Sequence, residues 1–179
     1  MAYDSDDFDS FFRGRGPALL RTAYLLTGDR HLAEDLVQDA LARTHRAWHR
    51  LHDDGNPEAY ARRVMVNLQV SWWRRRRVAE VLPGDLPDVA HRGDRRDSSA
   101  DAVERLALRT ALLQLPARQR AVIVLRFFDD RSEAQTAEIL NCRIGTVKSH
   151  QSRALARLRT LLPELSDVER MEGAAPWTN

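Results

Sequence analysis

The stretch Arg131–Leu162, RSEAQTAEILNCRIGTVKSHQSRALARLRTLL, constrains the fold most, because two helical periods meet there across a corner of a few residues. Ser132 can cap a first helix, Glu133–Leu140, whose apolar stripe is Ala134, Ala137, Ile139 and Leu140. Asn141-Cys142-Arg143-Ile144-Gly145 is too short for anything but a sharp angle between helices. A second helix is expected from near Thr146 to about Leu162, with Val147, Ala154, Leu155, Leu158, Leu161 and Leu162 on its buried side.

The opposite side of that second helix is cationic. From Ile139 to Pro163 the chain carries five Lys/Arg and no carboxylate, although its net charge is only +2. Phosphate neutralisation needs clustered cations rather than a high net charge, so this asymmetry points to nucleic acid. A helix-turn-helix sets the start of its second helix into the major groove. The expected DNA-facing set is Arg143, Thr146, Lys148, Ser149, Gln151, Ser152, Arg153 and Arg157. Of these, Thr146, Lys148, Ser149 and Gln151 fall toward base edges, and Arg153 and Arg157 toward phosphates. The competing reading is a solvated basic face on a surface helix.

Ala, Leu, Arg and Glu dominate and β-branched residues are sparse, which predicts an all-α protein. A length of 179 residues suits two small helical domains joined by a flexible linker. The expected boundaries are 1–77, a linker over 78–103, a second domain over 104–163 and a tail over 164–179. Domains of that size are marginal alone and gain from a partner surface. No apolar run approaches the roughly 18–20 residues of a membrane span, so no membrane insertion is expected. The acidic start MAYDSDDFDSFF lacks the parts of a signal peptide, and one cysteine permits no internal disulfide. Both suggest a cytoplasmic protein.

Earlier in the chain, Asp4–Phe12 and Pro17–Leu26 read as two helices separated by Gly14 and Gly16 and stopped by Gly28. Asp29 can cap a long helix from His31 to near Leu51, with Leu32, Leu36, Val37, Ala40, Leu41 and Trp48 inward. Glu34, Asp35, Gln38 and Asp39 gather on its N-terminal half, where the helix dipole favours acids and a basic partner could dock. His45, His49 and His52 share a face, but nothing nearby completes a metal site, and none is expected.

Asn56 and Pro57 open another helix, PEAYARRVMVNLQVSWWRRRR, ending near Arg77. Ala61, Val64, Met65, Leu68 and Trp72 can face inward, while Arg63, Asn67, Ser71, Arg74 and Arg77 line another side. Four consecutive arginines beside Trp72 and Trp73 exceed what a helix dipole needs and suit phosphates and unstacked bases. From Val78 to about Ala102 the period is lost among Pro, Gly, Asp and Ser. A tether of roughly 20–25 residues spans some 65–80 Å when extended. That suffices for two duplex sites one and a half to two turns apart, roughly 50–70 Å. Helices from Ala102 to Leu115 and from Pro116 through Phe128 then support the helix-turn-helix.

Together these pieces resemble a bacterial sigma factor of the extracytoplasmic-function group of the sigma-70 family, in a SigE-like subgroup found in actinobacteria. LLTGDRHLAEDLVQDALARTHRAW looks like that family's polymerase-binding helix, and PEAYARRVMVNLQVSWWRRRR like its promoter-reading helix. LPARQRAVIVLRFFDDRSEAQTAEILNCRIGTVKSHQSRALARLR looks like its second domain. The resemblance implies that Asp35, Gln38 and Asp39 dock on core RNA polymerase. It implies that Arg63, Asn67, Ser71, Trp73, Arg74 and Arg77, with the Leu51–Asn56 loop, handle the −10 element of promoter DNA as it opens. The helix from Thr146 to Arg157 would read the −35 element. An anti-sigma protein joins the candidate partners on the same ground, though no residue here by itself requires one. The sequence departs from the family pattern at Asn141 and Ile144 in the corner and at Gln69-Val70-Ser71-Trp72-Trp73.

TVKSHQSRAL also resembles the LuxR-type helix-turn-helix, so a stand-alone regulator binding an operator as a dimer is the alternative. No Ser-His-Asp set, phosphate-cradling glycine loop or HExxH motif is present, so neither catalytic residues nor a cofactor is expected.

Overall fold

Helix α1 (Tyr3–Thr27) and helix α2 (Arg30–Arg46) form a hairpin whose corner follows from two residues. Gly28 sits at φ +73°, in the left-handed region that a residue without Cβ enters freely. Asp29 then accepts the Leu32 N–H at 2.9 Å and caps α2. Helices α3 (Trp48–His52) and α4 (Pro57–Val81) follow, and α4 closes over the hairpin. The second half comprises α5 (Ala100–Leu113), α6 (Ala117–Ile123), a π-helical turn (Val124–Phe128), α7 (Glu133–Leu140) and α8 (Ile144–Leu161). The computed structural model describes residues 3–52, 55–81 and 100–162, and no strand occurs among them. The all-α expectation holds. Most of the expected tether and the whole C-terminal tail lie outside the described residues.

Local signals placed the helix-turn-helix well. Ser132 and Gln135 form a reciprocal capping box, the Ser132 Oγ accepting from the Gln135 N–H at 3.1 Å and the Gln135 side chain from the Ser132 N–H at 2.8 Å. Asn141 ends α7 at φ 49°, a conformation asparagine tolerates better than most residues. Helix α8 begins at Ile144, two residues before the expected start, and Val147, Ala154 and Leu158 are buried as anticipated. Ala134 is instead exposed and Thr136 takes the inner place.

Elsewhere packing overrode the local punctuation. α1 runs unbroken through Gly14, Gly16 and Pro17, where two helices were expected. An interior proline costs a helix roughly 3 kcal/mol or more. The extension, however, carries Phe8 and Phe11 onto the Trp48 ring, with centroids 5.1 and 5.3 Å away, and Gly16 makes room for the Phe12 ring. The expected single helix from His31 to Leu51 is interrupted at Ala47, whose N–H is shared between the Arg43 and Thr44 carbonyls. α4 continues to Val81, because nothing in Val78-Ala79-Glu80-Val81 opposes a helix before Pro83.

The two halves do not keep separate cores. Leu19, Leu26, Leu36, Ala61 and Met65 from the first half share one buried cluster with Ala121, Val122, Leu125, Ile139, Leu140 and Val147 from the second. A smaller cluster, including Leu112, Leu115, Ile123, Ala154 and Leu158, is built from the second half, with Leu25 of α1 packed against it. The partner surface that each marginal half needs is the other half. Arg120 of α6, 1 % exposed, crosses the seam to the Leu26 carbonyl and also donates to Leu113 and Leu115. Burial lowers this guanidinium to about 10, so it stays charged at neutral pH and offsets the negative end of α1.

Candidate nucleic-acid and polymerase interface

Helix α8 owes its orientation to Val147, Ala154 and Leu158, which bury one side against α6 and α7 and turn the rest outward. Arg143, Thr146, Lys148, Ser152, Arg153 and Arg157 are all exposed on it. Arg143 caps α8 without a side-chain hydrogen bond, so the positive N-terminal end of the helix is presented bare. Ser149 and Gln151 are only half exposed. Gln151 Oε1 accepts from Arg126 Nε at 3.2 Å, which removes half of the bidentate pattern that a glutamine offers to adenine.

Two contacts at α8 had no signal in the local sequence. Lys148 Nζ lies 3.5 Å from a Glu133 carboxylate oxygen, because the corner folds the start of α7 back beside α8. With Lys148 64 % exposed, this surface pair is weak and a phosphate can displace it. His150 is held below its ordinary value, first by burial and then by the Arg118 and Arg153 charges. Arg118, exposed on α6, therefore extends the basic surface beyond the residues picked from the sequence.

On α4, Asn67 and Ser71 are exposed one turn apart, and Trp73 is half-buried. Trp72 leans on the core. The side chains of Arg74 and Arg77 lie outside the described residues. Arg63 departs from the expectation of a free cation. It is half-buried, and its Nη2 donates to the Glu138 carbonyl of α7 at 2.8 Å. The physical reason is that carbonyls in the last turn of a helix lack donors and attract positive charge. Arg62, about 100° further round the same helix, is buried outright at 2 % exposure.

Asp35, Gln38 and Asp39 stand exposed together on α2, available to a basic partner. Glu34 is engaged separately, accepting from Arg30 Nε at 3.0 Å. His45 packs edge-on against Phe8, with ring centroids 4.7 Å apart.

Comparison with known proteins assigns both halves. Residues 11–78 match the family described as Sigma-70 region 2, and residues 105–158 match Sigma-70, region 4. The RNA polymerase sigma-E factor of Streptomyces antibioticus is 42 % identical over 163 residues, covering 91 % of this chain and 88 % of that protein. The ECF RNA polymerase sigma factor SigM of Mycobacterium tuberculosis is 34 % identical over 166 residues, covering 93 % and 82 %. Among solved structures, the sigma factor RpoE of Bartonella quintana, in complex with the anti-sigma factor NepR, superposes with a TM-score of 0.70. It shares 31 % identity and covers 88 % of this chain and 97 % of that one. CnrH, in complex with the cytosolic domain of CnrY, shares the fold at a TM-score of 0.62 and 23 % identity, covering 89 % and 90 %. A stand-alone LuxR-type regulator does not account for the match across the first half. The chain belongs to the sigma-70 family of RNA polymerase sigma factors, in its extracytoplasmic-function group.

Proposed function

We propose that this sigma factor divides promoter recognition between two surfaces and anchors both to core polymerase through a third. As a sigma factor it binds core RNA polymerase and directs initiation at a subset of promoters. In the finer reading, the outward flank of α8 reads the −35 element as duplex: Thr146, Lys148 and Ser149 at base edges, and Arg143, Ser152, Arg153 and Arg157 along phosphates. Asn67, Ser71 and Trp73 on α4, with Arg63, Arg74 and Arg77, capture the −10 element as it opens. Asp35, Gln38 and Asp39 dock on polymerase. Gln151 serves as a structural residue rather than a base reader.

The single observation that carries this reading is the exposed cationic flank of α8, set outward by its buried Val147–Ala154–Leu158 side. The protein works without catalytic groups of its own, in the cytoplasm where polymerase is. Unstacking a base costs a few kcal/mol. Contacts of about 1–3 kcal/mol per base offset that only once polymerase has fixed the orientation. The described residues hold no helix long and apolar enough to cross a membrane. The anti-sigma factor NepR bound to the Bartonella quintana relative makes such a protein a candidate partner here.

Run-off transcription with purified core polymerase on genomic fragments tests the reading. Defined transcripts that require this protein are expected. Operator binding by the protein alone, with no effect on core polymerase, would overturn it.

A further inference from the structure

His150 stands on the edge of α8 where the buried side gives way to the outward one. It follows buried Val147 and precedes buried Ala154 by one turn each, so its ring borders the apolar stripe. On its outer side the same spacing sets it beside Thr146, Arg153 and Arg157, all exposed. Gln151, on the opposite edge of the helix, is already held by Arg126. His150 has no such hold. The residue is half-buried, and its Nδ1 is buried with no hydrogen-bond partner among the described residues.

Two guanidiniums frame the ring. Arg153 lies on the next turn of α8, and Arg118 acts on it from α6, against which α8 packs. Other charged groups on the neighbouring elements are occupied elsewhere. Glu133 of α7 sits with Lys148, and Glu138 closes α7 where its carbonyl takes Arg63. Arg126 of the π-helical turn donates to Gln151 and to the Arg131 carbonyl. Arg120 of α6 is spent on the Leu26, Leu113 and Leu115 carbonyls, and Arg109 of α5 lies over the Tyr24 ring. The charges acting on the imidazole are thus both positive, and with burial they keep it neutral at pH 7.

Duplex DNA reverses that balance. A backbone phosphate drawn to Arg118 and Arg153 offsets both guanidiniums and brings a negative charge near the ring, which favours the imidazolium. We propose that His150 is a proton-linked phosphate contact: the ring takes a proton from solvent as α8 engages duplex, and the imidazolium joins Arg118 and Arg153 in holding the backbone. The inference rests on the reading of α8 as the duplex-binding helix. At most one proton is gained per duplex bound, and none passes to the DNA. A ring whose proton affinity is higher in the complex strengthens binding below its free value, and the gain is lost as pH rises through its bound value. Affinity for duplex should therefore climb as pH falls from about 8 to about 6.

Fluorescence anisotropy of the full chain with a short mixed-sequence duplex, at low and constant ionic strength, reads this coupling, because a phosphate contact carries no sequence information. Over that pH range the parent should tighten about threefold or more beyond His150→Gln, which stays polar but cannot titrate. His150→Arg carries a fixed charge, so it should bind at the alkaline end at least as tightly as the parent does at the acid end, with the histidine-dependent response gone. A ring that only fills space would instead lose affinity in both variants. Calorimetry in two buffers of different ionisation enthalpy should show proton uptake by the parent that His150→Gln lacks. Without any variant, the ring resonance of His150 should titrate at higher pH in the complex than in the free protein. Equal pH responses in the parent and His150→Gln, or a ring that titrates alike free and bound, overturns the proton link and leaves α8 as a duplex reader. Failure to bind any duplex would instead overturn the reading of α8 and this inference with it.

Discussion

Replacing Arg62 by Ala should be among the most damaging single changes in the protein. Among the described residues, its guanidinium is the cation paired with the Asp129 carboxylate, and it shares Glu58 with Arg131 and Arg15. Removing it leaves Asp129, 8 % exposed, with the Thr22 hydroxyl as its side-chain partner among the described residues. Breaking a buried pair by removing one partner costs about 3–5 kcal/mol, because the remaining charge is stranded. Against a total stability of about 5–15 kcal/mol that is a large fraction. At about 2–4 °C per kcal/mol for a chain of this size, the midpoint should fall by about 6–20 °C in a thermal melt followed by circular dichroism. Arg62→Met combined with Asp129→Asn removes both charges while Asn can still accept from Thr22, so its cost should drop below about 2 kcal/mol. If Arg62→Ala costs no more than about 0.5 kcal/mol, as a surface change does, the cluster is not what binds the halves.

Glu58 gives the account a pH signature. Burial works to raise its carboxyl, but Arg62, Arg131 and Arg15 outweigh that and hold it below the usual carboxylate range. A depressed folded value means the stabilisation is present above the unfolded value and is lost as pH falls through the folded one. The stability difference between the parent and Glu58→Gln should therefore be full near pH 7 and shrink below about pH 4, as read by urea titration at each pH. At the promoter, Arg153→Ala should weaken −35 duplex binding and lower the slope of log affinity against log salt by about 1, and Lys148→Ala should weaken it and relax its sequence preference, both with polymerase binding intact. Gln151→Ala should leave −35 sequence preference unchanged in the same binding assay, whereas Thr146→Ala should relax it. Asp35→Ala with Asp39→Ala should weaken binding to core polymerase in a pull-down titration, and unchanged affinity would remove the acidic dock.

The parts read most clearly from sequence were those set by neighbours in the chain. Ser132, Gln135 and Asn141 announce the ends of α7 through hydrogen bonds and a left-handed residue only a few positions apart. The outward set on α8 followed from a period of about 3.6 alone. The seam was hidden for the opposite reason. Asp129-Asp130-Arg131 reads locally as a polar turn, and nothing nearby says that Arg62, 67 residues earlier, will receive it. Arg62 and Arg63 are neighbours in sequence, yet one is buried at the cluster and the other crosses to α7. Periodicity puts Arg63 on the polar side but cannot say that a second set of helices lies over that side. The contact to Gln151 was hidden in the same way, because its partner Arg126 sits inside the apolar run VIVLRFF, where a structural cation leaves no pattern. In α1, packing against Trp48 outweighed Gly14, Gly16 and Pro17, each a sound local reason to stop.

The division of labour between α4 and α8 is tested most directly by chemical probing of one promoter bound by reconstituted holoenzyme. Nuclease protection reports the −35 duplex, and permanganate reactivity of thymines reports the opened −10 element. Lys148→Ala with Arg153→Ala should erase −35 protection and slow opening, while Asn67→Ala with Trp73→Ala should abolish permanganate reactivity and leave −35 protection in place. Loss of both signals to the same degree from either pair, with holoenzyme still assembled, would contradict the account.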